Sequence, residues 1–435
     1  MQQNTNFDRH PTKTKSLLDP PQLVKNLCLL VLAFIPINML ATPIADYLTI
    51  ESRVTNWTVT LSAFVLLLTA MPLLAATIRG LTSRNEKLVF KSAAVFFLYA
   101  VSLTYLSASE LFYPLYGFAS WLAAFLVCIL FYLSARDKIM SPDVIFWVLA
   151  SISALVVLPM LLVHIDIERF ARLAERVGAA NILYGYENPR AVGWVSTVAI
   201  SLLVTWLATQ PRERGIGLLV PLLVTIAATT LFWSGSRGGL AAFAVSIILV
   251  FSLSETKNYK GLMSGLLGVA LGGAVSFLLH LPDMTYGIFS RISQNLGQDS
   301  LNSVSTGRTE LWKTTIAYIL ERPLTGYGFF PHKNLEGFSH GSAHNIILDV
   351  WLWFGLIVGT IILLCGIALW LVALSAFRKA QDQYVSALFC VATTLLAYSM
   401  LSGPYARTFP LMLFAVAVGT IIGHRPANSN AQMKS

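Results

Sequence analysis

Apolar residues in this chain come in long runs of 15 to 29, separated by shorter stretches that carry the charge and most chain-breaking residues. An α-helix rises 1.5 Å per residue, so about 20 apolar residues cross the ~30 Å hydrocarbon core of a bilayer. Twelve runs qualify, near 27–45, 57–78, 88–106, 111–134, 142–163, 191–209, 215–233, 238–254, 261–280, 346–374, 383–401 and 409–423. Strand-type alternation over about ten residues is missing, which excludes an outer-membrane barrel. The pattern predicts an all-α polytopic membrane protein with about 12 transmembrane helices and a large, partly helical segment between the ninth and tenth.

The expected organisation is an N-terminal tail over 1–26, helices 1–9 within 27–280 interrupted by a long loop at 164–190, a large loop over 281–345, helices 10–12 within 346–423, and a C-terminal tail over 424–435. In the first long loop Ile165, Ile167, Phe170, Leu173, Ala174 and Val177 recur at helical spacing among Glu168, Arg169, Arg172, Glu175 and Arg176. That fits a connector helix lying in the membrane interface. In the second, a helix is expected from about Thr309 to Leu320, with Pro323, Gly326 and Gly328 ending it in an aromatic loop of Tyr327, Phe329 and Phe330. Such a loop stacks on sugar rings or plugs the membrane domain, and the sequence leaves both readings open.

Composition narrows the class. Of 435 residues 56% are hydrophobic and 12% charged, where a soluble domain is about 25% charged. With Gly 28 and Pro 18, collagen-like and low-complexity chains are excluded too. Residues 1–26 are polar and basic and lack a cleavable apolar core, so the first run is expected to direct insertion. Cys28, Cys128, Cys365 and Cys390 all lie in apolar runs without C-x-x-C spacing, and no disulfide or zinc framework is predicted.

Charge gives the orientation. With the N-terminus inside, the cytoplasmic segments hold 18 of the 30 cations against 8 of the 21 acids, as the retention of Lys and Arg requires. Both termini are therefore expected in the cytoplasm, and the net charge of +9 is a topogenic asymmetry with no implication of nucleic-acid binding. The twelve outer cations are all Arg except Lys313 and Lys333. A planar guanidinium grips phosphate with two parallel hydrogen bonds, so an outer phosphate ligand is one explanation. The other, pairing with nearby Glu, is favoured for Arg169, Arg172, Arg176 and Arg322.

Three outer arginines stand apart from that pairing. Arg237 sits in Trp233-Ser234-Gly235-Ser236-Arg237-Gly238-Gly239, where two runs meet with hardly any loop. Small residues there permit close backbone approach, and the free N–H groups of a helix start suit an anion. Arg190, after Tyr184-Gly185-Tyr186-Glu187-Asn188-Pro189, and Arg407, after Ser402-Gly403-Pro404-Tyr405-Ala406, hold the same depth; Arg190 is read as a phosphate contact or as a partner of Glu187, and Arg237 and Arg407 as phosphate contacts or as cations snorkelling to headgroups. His344 precedes the run at 346–374, where a helix macrodipole favours the neutral ring; it is read as a proton acceptor or as a helix cap or interfacial anchor. Asp349 is about 140° around the helix from His344, so no same-face partnership is expected, and His332 and His340 lack comparable placement. Asp166 and Glu168, at i and i+2, point to different helix faces and make a poor metal pair.

These motifs, with Asn188-Pro189-Arg190-Ala191-Val192-Gly193, Thr306-Gly307-Arg308 four residues before Trp312, and Ala343-His344-Asn345, resemble the O-antigen ligase and polymerase superfamily over roughly residues 180–360. The His344-Asn345 pair, followed after nine residues by Gly355, is similar to the ligases, while Val358 stands where a small residue or Tyr is expected. The resemblance implies a GT-C-like, metal-independent inverting glycosyltransferase without a cofactor, in the bacterial inner membrane with its active site facing the periplasm. It would move O-antigen from undecaprenyl diphosphate to lipid A–core, among membrane lipids and alongside an O-antigen polymerase or chain-length regulator. His344 would serve as base, Arg237 and Arg190 would bind the donor diphosphate, and Arg308, Arg407, Asn345 and Trp312 would be further substrate contacts. An O-antigen polymerase is the alternative. A polysaccharide or lipid transporter is more remote, because ionisable residues collect at the ends of runs and no internal repeat relates the halves.

Overall fold

The computed structural model describes residues 20–49, 78, 80–107, 112–177, 183, 184, 186, 189–211, 217–279, 287, 308–336, 338 and 342–424. The run at 57–78, but for its last residue, and most of 281–307 lie outside the described residues, as do His340 and nearly all of both tails. Eleven of the twelve runs coincide with helices: α1 (Pro20–Thr49), α2 (Arg84–Ser107), α3 (Phe112–Arg136), α4 (Pro142–Leu155) continued by α5 (Leu158–Ile165), α7 (Pro189–Thr209), α8 (Leu219–Trp233), α9 (Arg237–Leu253), α10 (Tyr259–Leu278), α12 (Ile346–Ala380), α13 (Gln383–Ser399) and α14 (Thr408–Gly423). Seven of these spans are long and apolar enough to cross a membrane, and α8, α9, α13 and α14 are shorter apolar helices. Between them lie the amphipathic α6 (Ile167–Val177) and, close to the expected bounds, α11 (Arg308–Glu321). The protein is an all-α polytopic membrane protein.

The bundle is organised around α7, whose residues Ala191 to Thr205 are all buried. Around it pack α4, α8, α9, α10 and α13. On α10, Gly261, Gly265, Gly268 and Gly272 recur at spacings of three and four, and a Cβ at these positions would meet α7 or α8. Without a hydrophobic drive between helices in lipid, such small faces supply association through close packing. A second tight pair joins α3 to α14, where Gly419 and Gly423 lie on Cys128 and Tyr132 of α3. The two ends of the bundle differ in their links. At one end the Asn258 N–H donates to Ala208 O (2.8 Å) and the Glu255 N–H to Gln381 Oε1 (3.1 Å), near Lys257, Lys260, Arg378 and Lys379. At the other lie the starts of α7, α9, α12 and α14, with Arg237 and Arg407.

One long run is not one straight helix. Gly355 adopts φ 74°, ψ 172° inside α12, so the single span expected over 346–374 divides into a nine-residue piece and a long one. The loop after α11 fills the break: Tyr327 N–H donates to Leu352 O (3.0 Å), Gly328 N–H to Trp353 O (2.8 Å), and Leu356 N–H to Pro323 O (2.7 Å). Gly326 and Gly328 have positive φ, and Gly326 approaches the backbone of Trp353 and Gly355 more closely than any Cβ allows. Phe329 N–H donates to Thr104 Oγ1 of α2 (3.2 Å). The aromatic loop is thus a plug: Tyr327, Phe329 and Phe330 are buried, with Phe329 and Phe330 packed on Trp353 and Phe329 also on Trp121. Burial, then the hydrogen bond to Glu321, pushes the Tyr327 hydroxyl up to about 12, so it remains a donor to Glu321 Oε2 (2.9 Å).

Gly355→Ala should therefore lower stability by about 2 kcal/mol, because a side chain is strained at that φ and its Cβ would press on Leu324 and Pro323 carbonyls. Gly366→Ala, in open space on the same helix, should leave stability unchanged or raise it by up to about 1 kcal/mol. Thermal midpoints of the two variants in detergent check the contrast.

Candidate functional site

The short first piece of α12 is held at its start by two anchors. Asn345 has extended backbone (φ −148°, ψ 116°) and its Oδ1 accepts from the N–H groups of Ile347 (3.0 Å) and Leu348 (3.3 Å), so it caps the helix. Ala343 N–H donates to both oxygens of Asp349, at 2.9 and 3.1 Å. Between these anchors His344 takes a left-handed conformation, φ 55°, that non-glycine residues adopt only where surrounding contacts impose it. Its N–H donates to Ser342 Oγ (3.3 Å), and its ring Nδ1 lies 3.4 Å from that oxygen. Trp312 Nε1 donates to Ala343 O (3.0 Å), tying α11 to the same turn. Arg308, the first residue of α11, is four positions before Trp312 and shares its helix face.

The turn between α13 and α14 is where the helix starts meet. Gly403 lies against His344: a Cβ there would stand 3.1 Å from Ser342 Oγ and 3.7 Å from His344 Nδ1. Trp194 Nε1 of α7 donates to Ser402 Oγ (3.2 Å), and Asn345 Nδ2 to Met400 O (3.4 Å). One turn earlier the Tyr398 hydroxyl pairs with Ser236, the residue before Arg237. Gly238 and Gly239 leave room for Tyr398, and Gly193 of α7 leaves room for Ser234 and Ser236. The structure therefore brings His344, Arg237, Arg407 and the N-terminal turn of α7, of which Arg190 is the second residue, to one end of the bundle. Arg237 and Arg407 are half-buried first-turn and capping residues of α9 and α14.

Two of the other outer arginines, expected to pair with Glu, also stack on rings. Arg169 lies over the Tyr47 ring (4.9 Å) and Arg322 over the Tyr327 ring (4.5 Å). Helix α6 buries Phe170 and leaves Glu168, Arg172 and Glu175 exposed, as its pattern predicts. Asn345 and Trp312, expected as substrate contacts, have internal partners here.

Sequence reasoning missed the group behind His344. Asp349 is fully buried and accepts from the Tyr405 hydroxyl, while Oδ1 lies 2.9 Å from Nε2 of the equally buried His332. Burial first, then the Asp349 charge, raises the Tyr405 hydroxyl well above the ordinary tyrosine range, so it stays a donor. The signal was present: an acid at the fourth position of an apolar run marks a functional position. Asking whether Asp349 faces His344 on one helix concealed it, because the link runs through the turn before the helix. Among the described residues, no group of three or more His, Cys, Asp or Glu side chains is gathered as for a metal ion.

Comparison with known proteins fits this geometry. Residues 222–364 match the family model described as O-Antigen ligase, about a third of the chain, from α8 through the break in α12. That stretch contains Arg237, Arg308, Trp312, His344, Asn345 and Asp349 and excludes Arg190 and Arg407. Two curated proteins of Acinetobacter baylyi are similar: a general O-oligosaccharyltransferase, 24% identical over 156 residues (32% of this chain), and a ComP-specific O-oligosaccharyltransferase, 24% identical over 157 residues (34% of this chain). The matches span only 27% and 26% of the length of those relatives. The family that this chain resembles, by the match of its central membrane segment and the placement of its motifs, is that of the O-antigen ligases.

Proposed function

We propose that the protein is an O-antigen ligase, transferring O-antigen polysaccharide from undecaprenyl diphosphate to lipid A–core at the periplasmic face of the inner membrane, with both termini cytoplasmic. The observation that carries this reading is the seat of His344, held in a left-handed turn against Gly403, at the bundle end where helices bearing Arg237, Arg190 and Arg407 begin. Those helix starts bring positive dipole ends to the same end of the bundle, which suits a diphosphate. Arg237 and Arg190 bind it, with Arg308 and Arg407 in support. The acceptor hydroxyl gives its proton to the His344 ring while its oxygen forms a bond to the anomeric carbon. The bond from that carbon to the diphosphate oxygen breaks, and the electron pair leaves with the lipid diphosphate. One displacement without a covalent intermediate inverts the centre. Positive groups that bind the leaving diphosphate more strongly as its charge develops lower the barrier, and here the arginines take the role a divalent cation has elsewhere.

A second reading concerns the acceptor alone. The two similar proteins are named O-oligosaccharyltransferases, and a protein hydroxyl would enter the same chemistry as a core sugar. Purified protein incubated with undecaprenyl-diphosphate-linked glycan, in separate arms with lipid A–core and with a Ser/Thr-rich peptide, decides between them. Glycan on lipid A–core, abolished in His344→Ala, is the expected result. Glycan on the peptide establishes the second reading, lengthening of the lipid-linked glycan makes the protein a polymerase, and no transfer by folded protein refutes glycosyl transfer.

Two further outcomes follow from arginine-held diphosphate. Transfer should persist in EDTA; loss on chelation with rescue by a divalent ion would refute metal independence. Arg237→Lys should lower turnover at least about a hundredfold although the charge remains, because an ammonium lacks the bidentate geometry; a folded variant with near-normal turnover refutes the clamp.

A further inference from the structure

We propose that Trp312 and Asp349 act together as positioning residues for the reaction, gripping the two peptide groups that flank Ala343 so that His344 is held in its left-handed turn. This rests on the reading of His344 as the base. Trp312, expected from the sequence to touch substrate, acts instead on backbone, as Asp349 does, and neither touches the reacting atoms.

Peptide groups are planar, so a residue's dihedrals are set once the planes on either side of it are set. The plane that enters His344 carries the Ala343 carbonyl, which accepts from Trp312 Nε1 at 3.0 Å, and the His344 N–H, which donates to Ser342 Oγ at 3.3 Å. The plane before it carries the Ala343 N–H, which both oxygens of Asp349 accept, at 2.9 and 3.1 Å. Beyond His344 the chain is set by the Asn345 cap of α12. With the backbone held at these successive points, His344 has to take up the difference, and it does so at φ 55°, which a non-glycine residue adopts only under such constraint.

The two grips come from separate parts of the fold. Trp312 stands on α11, whose far end is tied to the break in α12 through Pro323 and Gly328. Asp349 is fully buried, where a carboxylate is costly unless its oxygens are used. Besides Ala343 they are used by the Tyr405 hydroxyl of the α13–α14 turn and faced by His332 Nε2, 2.9 Å from Oδ1, on the short helix Pro331–Asn334. Both grips therefore refer the turn of His344 to elements that lie outside it.

The clamp needs an acceptor at Asp349 and a donor at Trp312, and no charge. Asp349→Asn keeps Oδ1 for Ala343, and its Nδ2 donates to the Tyr405 oxygen once that hydroxyl turns. Asp349→Ala removes the acceptor, and Trp312→Phe removes the donor while keeping a ring. Steady-state glycan transfer is measured on folded variants, together with hydrogen exchange by mass spectrometry over residues 342–348, which reads the turn whatever the activity, with the buried α7 as internal control. Turnover should fall at least about thirtyfold in Asp349→Ala and about tenfold in Trp312→Phe, with donor and acceptor KM within about twofold. Asp349→Asn should stay within about fivefold of wild type. Because both side chains hold one turn, the double variant should lie no more than about threefold below Asp349→Ala. Exchange over 342–348 should speed at least about tenfold in Asp349→Ala and in Trp312→Phe but not in Asp349→Asn, with α7 unchanged.

Asp349→Asn as inactive as Asp349→Ala would give the carboxylate a role through its charge and overturn the clamp. Fully multiplicative losses in the double variant, or a raised acceptor KM at normal turnover in Trp312→Phe, overturn it as well. If Asp349→Ala does not fold, unchanged exchange in Trp312→Phe is the overturning result. If wild-type protein transfers no glycan and the exchange pattern is as expected, the clamp stands and the glycosyl-transfer reading fails. If wild-type protein transfers glycan and exchange does not move, the clamp fails and that reading stands.

Discussion

A helix that breaks where it is buried leaves backbone groups that its neighbours must satisfy, and the break of α12 at Gly355, itself buried, imposes that constraint on everything around the site. The loop from Pro323 to Gly328 answers it with three backbone hydrogen bonds. Because the loop is committed to the break, its aromatic residues are committed as well: Phe329 and Phe330 wedge between α2, α3 and α12. The same commitment fixes where α11 ends, and hence how Trp312 reaches the carbonyl of Ala343. The backbone requirement of the break thus sets the geometry of the turn that carries His344.

The site end of the bundle is assembled by small residues and hydroxyls. Gly193, Gly238, Gly239 and Gly403 each stand where a Cβ would collide with or crowd a neighbour. Of the neighbours they admit, Ser236 and Tyr398 pair and join α9 to α13, while Trp194 to Ser402 ties α7 and Asn345 to Met400 ties α12 to the same turn. Hydroxyl pairs of this sort define distances better than apolar contacts do, since each has one good separation and a narrow range of angles. Arg237 follows Ser236 directly, so its place relative to His344 is set by two side-chain links and the last turn of α13.

Much of this was legible in the sequence, and the rest was hidden for identifiable reasons. Run length gave the helices, and the small residues around Arg237, Arg190 and Arg407 marked the end of the bundle at which they gather. The spacing of His344-Asn345 and Gly355 carried more than it disclosed: its nine residues are the short helical piece between the Asn345 cap and the break. Periodicity could not reveal the break, because an apolar run reads the same whether a helix crosses it once or in two pieces. Nor could it reveal the partnership of Asp349 with His332 and Tyr405, which joins residues 17 and 56 positions from the acid. The aromatic loop was ambiguous for a plainer reason, since rings that stack on sugars and rings that fill a core have the same composition.

The arrangement separates the two tasks of the proposed reaction. Holding the diphosphate falls to arginines at the starts of α7 and α9, which pack on each other through Gly193 and the Ser234–Ser236 turn. Holding the base falls to α12, which reaches that pair through the α13–α14 turn. Charge that leaves with the diphosphate and charge that arrives on the imidazole develop together in the transition state, and arginines suited to the first oppose the second. The two tasks are held on different elements, and Asp349, buried one turn into α12, accepts the Ala343 N–H and so fixes the turn that carries His344 from within the helix that follows it.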